Sequence, residues 1–208
     1  MQIKTLQKVS KKTKLMKNET QTIKELLETM GTAERLNRKR VSNFVLENNE
    51  LFPVLLKIVF ETSYKLHYKA AWALEFVLED NLEWLVPHLD FFTNNIEILS
   101  HQSAIRPISK ICKWIAIAYV KKENQYFVKT INQKHLDKLV ETGFDWLIGE
   151  HKVAAKAYTM VSLYLFGKLQ KRDLEWVHIE LRNVITQNII NGSPAYKAQG
   201  KMILKLLK

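Results

Sequence analysis

The run Leu82-Glu83-Trp84-Leu85-Val86-Pro87-His88-Leu89 returns ninety-two residues later as Leu174-Glu175-Trp176-Val177-His178-Ile179-Glu180-Leu181. No other feature limits the fold as strongly. A second echo sets the period, because Phe44-Val45-Leu46-Glu47-Asn48-Asn49 recurs as Phe76-Val77-Leu78-Glu79-Asp80-Asn81 thirty-two residues on. Periods of that size belong to stacked helical pairs, in which one unit alone cannot bury its apolar face. The heads of the units repeat as well: His67-Tyr68-Lys69-Ala70-Ala71 aligns with His101-Gln102-Ser103-Ala104 and with His151-Lys152-Val153-Ala154-Ala155, and a fainter copy starts at Pro194-Ala195-Tyr196-Lys197-Ala198. Small residues in register let a first helix approach its neighbour closely. Extra chain from Lys121 to Asn132 makes the array irregular there.

Apolar spacing predicts helix throughout and no alternating strand. Ile23, Leu26, Leu27 and Met30 follow helical spacing up to Gly31, a residue suited to a left-handed cap, after which Thr32 can cap the next helix to about Leu46. A partner helix is expected from Glu50 to Phe60, with Pro53 in its first turn, where a missing amide costs little. The pair repeats as Tyr64 to Leu78 and Leu82 to Phe92. Further helices are expected over Ser103 to Val120, Lys134 to Leu147, Lys152 to Phe166, Leu174 to Ile190 and Pro194 to Leu207, the last started by Ser193 as cap and Pro194 at the first helical position.

With 47% hydrophobic and 25% charged residues over 208 positions, the chain has the composition of a packed domain with a sizeable core. The longest apolar stretch, Ile111 to Val120, is broken by Lys113 and falls short of the roughly 18 residues a membrane span needs. The lysine-rich beginning has no apolar core or small-residue cleavage site of an export signal, so a cytoplasmic location is expected. Cys112, the sole cysteine, cannot form an internal disulfide and reads as a buried structural thiol.

These repeats resemble the HEAT-like family. Ala-Ala-Trp-Ala-Leu-Glu-Phe-Val at 70–77, Ser103-Ala104-Ile105-Arg106-Pro107 and Lys152-Val153-Ala154-Ala155-Lys156-Ala157-Tyr158 resemble, more narrowly, a group of short HEAT-like proteins from the Bacteroidetes, and the likeness covers Glu19 to the C-terminus. It implies an all-α, right-handed α-solenoid of about five helical hairpins over 19–208, preceded by a basic tail over 1–18. Members of that group often carry the name adenylosuccinate lyase. That lyase resembles a fumarase-type tetramer of far longer chains with a mobile serine loop, and the only Gly-Ser here, Gly192-Ser193, reads as a helix cap.

Net charge is +11, but Lys4, Lys8, Lys11, Lys12, Lys14 and Lys17 lie in the first seventeen residues with no acid among them, leaving 11 − 6 = +5 for the repeats. The tail reads as a frayed helix, a flexible basic arm or the product of an upstream start codon wrongly chosen, serving either as a solvated tail that aids solubility or as an arm able to search along an acidic surface or nucleic acid. Lys197, Lys201, Lys205 and Lys208 share one face of the terminal helix, either as a solubilising cap or as an anion or partner surface. The recurring aromatic position, Phe52, Trp84, Trp146 and Trp176, is expected to anchor one hairpin on the next. Glu75 and Arg106, each set among apolar residues on consecutive first helices, are the expected structural charge pair. Some HEAT-like proteins are alkylpurine DNA glycosylases, which need an Asp and aromatic residues converging on the concave face. Trp114 has no carboxylate one turn on, and Trp72 has only Glu75 nearby.

Catalytic candidates are sparse. The histidines at 67, 88, 101, 135, 151 and 178 never fall three or four apart, so no helix face offers two metal ligands, and there is no glycine-rich phosphate loop or nucleophile elbow. The expected function is a non-enzymatic scaffold without cofactor, its second helices lining a concave surface for a protein partner. Nucleic-acid binding, with glycosylase-like ancestry, is the alternative, and the lyase name is a third reading.

Overall fold

The computed structural model describes residues 18–31, 35–169 and 174–208, and every regular element among them is helical. The basic segment 1–17 and Thr32 lie outside the described residues. The chain divides into two compact units, one up to Asp80 and one from Asn81 onward.

In the first unit, α1 (18–29), α2 (Arg35–Glu47), a 3₁₀ turn (Asn49–Leu51), α3 (Phe52–Val59) and α4 (His67–Asp80) follow in order. Pro53 sits in the first turn of α3, as its missing amide requires. Helix α4 packs on both α2 and α3, and Ala70, Ala71 and Ala73 are completely buried there, so the small residues do allow close approach. The left-handed cap expected at Gly31 is not formed: no described glycine has positive φ. Lys69 takes over that role. Its buried ammonium reaches from α4 to the carbonyl oxygens of Leu27, at 3.2 Å, and Met30, satisfying orphan acceptors at the end of α1 with a positive charge at the negative end of the helix dipole. His67 Nδ1 lies 3.0 Å from Val59 O and ties the start of α4 to the end of α3.

In the second unit, the expected helix Leu82 to Phe92 is split into a 3₁₀ segment (Leu82–His88) and α5 (Leu89–Asn95), followed by a 3₁₀ turn (Ile96–Ile98). Pro87 lies inside the 3₁₀ segment, where it has no amide to give an α-helical bond. Then come α6 (Gln102–Val120), α7 (Gln125–Thr130), α8 (Gln133–Ile148), α9 (Val153–Gly167), α10 (Trp176–Ile189) and α11 (Pro194–Leu206). The irregular stretch 121–132 thus contains α7, capped by Asn124 Oδ1 on the amides of Tyr126 and Phe127 and anchored by fully buried Phe127. Helix α9 packs against α6, α8, α10 and α11, while α8 touches α5 and α10. Helix α9 thus lies between α6 and α11 in one row of contacts, and α8 between α5 and α10 in another.

The aromatic anchor expectation needs correction. Phe52 and Trp146 are buried, Trp84 is only partly so, and Trp176 is 45% exposed. What the two echoes share in the core is the residue after the tryptophan and the one four further on: Leu85 with Leu89, and Val177 with Leu181, none more than 1% exposed. One helical turn separates the members of each pair, so they form the core stripe and leave the tryptophan on its flank. There Trp176 stacks on Phe144, with ring centroids 5.2 Å apart.

Candidate functional site

The histidines, which look catalytic by residue type, are held by the fold. His135 is 3% exposed and completes a capping box at α8: its Nδ1 accepts from the Asn132 amide at 3.2 Å, while its own amide donates to Asn132 Oδ1. With Nδ1 an acceptor, the proton sits on Nε2, which donates to Asp90 Oδ1 at 2.7 Å. This Asp–His pair has the look of a catalytic dyad, yet both ring nitrogens are occupied and no nucleophile can use them. His101 caps α6 by accepting from the Ser103 amide. His178 donates from Nε2 to Tyr164 O at 2.8 Å and lies stacked on the Tyr164 ring.

His151 is fixed by Gln102. The Gln102 side chain accepts from the Lys152 amide through Oε1 and donates to Glu150 O through Nε2, which settles the orientation of its carboxamide; Nε2 then also faces His151 Nδ1 at 3.0 Å. The starts of α6 and α9, which align in the sequence, are thus tied by one side chain. Burial, with Lys156 adding to it and Glu150 opposing, holds the His151 imidazole below its ordinary pKa.

The remaining sequence candidates fall apart as chemistry. Trp72 meets Tyr68 edge-on at 5.0 Å and Trp114 lies beneath the Lys110 ammonium at 4.8 Å, so each tryptophan packs against a residue one turn away on its own helix. Burial raises the Cys112 thiol far above the ordinary range, leaving it unreactive. Among the described residues no three His, Cys, Asp or Glu side chains are grouped to hold a metal ion, and no helix is long and apolar enough to cross a membrane. Glu75 is buried in the first unit and Arg106 is partly buried in the second; their pairing stays an expectation from the sequence.

Two surfaces remain. On α11, Lys201 and Lys205 are exposed and Lys197 is partly so, and Lys208, two residues past its end, is exposed. No acidic residue lies between Glu180 and Lys208. The second surface was missed in the sequence. Trp176 and Ile179, 66% exposed, share one face of α10, while Ile148, 59% exposed, lies one turn beyond Phe144 on the face of α8 that Trp176 stacks against. A signal existed: the core stripe Val177, Leu181, Val184 and Ile185 already accounts for one face of α10, so large apolar residues at 176 and 179 must lie off it. No protein-family model, curated protein or solved structure matches the chain.

Proposed function

We propose that the chain is a cytoplasmic, non-enzymatic scaffold, a right-handed HEAT-like α-solenoid of about five hairpins, that binds a protein partner through its second helices. The observation that carries this reading is the exposure of Trp176 and Ile179 on α10 beside Ile148 on α8. Solvated large apolar side chains gathered on neighbouring helices are characteristic of interaction surfaces, and tryptophan is enriched among residues that dominate binding energy. Both helices belong to the row α5, α8, α10, the side expected to be concave in a stacked array. The engagement of the histidines in caps and tethers fits a structural rather than a catalytic role. The test is partner capture from the source cell with wild type and with Ile179→Asp, which places a charge on the surface without touching the core.

A second reading, nucleic-acid binding, is favoured by the exposed lysines of α11. A gel shift at two salt concentrations separates the two readings, since phosphate contacts weaken steeply with salt whereas an apolar interface does not.

A further inference from the structure

Between the starts of α9 and α11 and the end of α10 lies a cavity of about 210 Å³. Lys156 supplies its only full charge, and no carboxylate lines it. Lys156 makes no ion pair among the described residues. On the same wall His151 has Nδ1 committed to Gln102, so its proton is on Nε2 and the ring can offer a hydrogen-bond donor. Tyr196, 4% exposed, forms part of the lining through its ring, its hydroxyl being shut off from solvent. Asn191 adds an exposed carboxamide at the rim.

The backbone adds to this polarity. Val153, the first residue of α9, lines the cavity, and the N-cap of that 15-residue helix, Lys152, makes no side-chain bond to its first amides. Ser193, the cap of α11, lies on the opposite wall. Two helix N-termini and the Lys156 ammonium bring positive charge to the cavity, opposed by the partial negative end of α10 at Asn188, and the full charge of Lys156 leaves the net sign positive. A tetrahedral oxyanion, with several acceptor oxygens and a formal charge, matches convergent donors of this kind better than a neutral ligand does.

We propose that this cavity binds the phosphate group of a small phosphomonoester, with Lys156 as its counter-ion and the open first turn of α9 and His151 as donors. The volume is below the roughly 300–1,000 Å³ of sites that enclose a drug-sized ligand, so it takes the phosphate end and the remainder projects outward. Trp176 and Ile179 take no part, and loss of phosphate binding would leave the protein-binding reading untouched.

The experiment is an NMR titration of the full chain, at constant ionic strength, with inorganic phosphate and then ribose 5-phosphate, following the amides of 151–156 and 191–196. Saturable shifts confined to those segments are expected. Lys156→Met should weaken binding about tenfold or more, the usual consequence of removing a charge-assisted contact, while Lys156→Arg restores part of it and Lys205→Met has no effect. Asn191→Ala, at an exposed position, provides a second weakened variant should Lys156→Met fail to fold. Absence of saturation at tens of millimolar phosphate, or equal losses in Lys156→Met and Lys205→Met, would overturn the site. An oligonucleotide with a 5′-phosphate that displaces ribose 5-phosphate where its 5′-hydroxyl counterpart does not would overturn the small-molecule assignment in favour of a nucleic-acid end.

Discussion

Gln102 Nε2 and His151 Nδ1 lie 3.0 Å apart, and because the carboxamide of Gln102 is oriented by two backbone groups, the imidazole must accept from it. Protonating Nδ1 would set two donors against each other. Burial and Lys156 lower the His151 pKa from its ordinary 6.5, with Glu150 opposing. The unfolded chain therefore binds this proton more readily than the folded one. The stabilising contribution is complete above about pH 6.5 and is lost as pH falls from there towards the folded-state value. Urea unfolding of wild type and His151→Gln between pH 5 and pH 8, a span around the ordinary histidine pKa, should show a shallower acid-side decline in the variant. Parallel declines would count against the tether.

Gly167 ends α9 where a Cβ would sit 2.1 Å from His178 Cδ2. Glycine-to-alanine replacement inside a helix ordinarily stabilises by about 0.5–1 kcal/mol. Here the sign should reverse, with Gly167→Ala costing about 1–3 kcal/mol through overpacking against the ring stacked on Tyr164. Chemical denaturation gives the sign directly.

Lys69 caps α1 from α4, and its replacement by Met keeps the stem while leaving the Leu27 and Met30 carbonyls without their charged donor. A loss of about 1–3 kcal/mol is expected. Hydrogen exchange should accelerate first in 18–29, ahead of α6 and α9. A uniform acceleration through both units would contradict a local capping role.

The ends of α6, α8, α9, α10 and α11 were legible to within one or two residues, since apolar stripes and cap residues such as Asn132 and Ser193 act locally, whereas the split of Leu82 to Phe92 and the helix α7 were not. The heads of α6 and α9 were legible too, through their repeated His-x-x-Ala. What the repeat could not convey is which member of an echoed run faces inward. Trp84 and Trp176 share a register, yet the stripe that packs begins one residue later, at Leu85 and Val177. The tethers Lys69 to α1 and Asp90 to His135 span about forty residues of chain and leave no local pattern. Gly31 illustrates the same limit: its residue type fits a left-handed cap, but a distant lysine satisfies the carbonyls instead.

Adenylosuccinate offered to the purified chain should release no fumarate above background, because His101, His135, His151 and His178 are each engaged in a cap or tether. Release that scales with protein and disappears in a histidine variant would reverse the non-enzymatic assignment.

The most direct test of the scaffold is quantitative capture from the source cell with tagged wild type, Ile179→Asp and Lys205→Met, after checking that all three unfold with the same midpoint. The account predicts a defined protein recovered equally by wild type and Lys205→Met and lost with Ile179→Asp. Equal recovery by Ile179→Asp, or recovery of nucleic acid alone with loss confined to Lys205→Met, would contradict it.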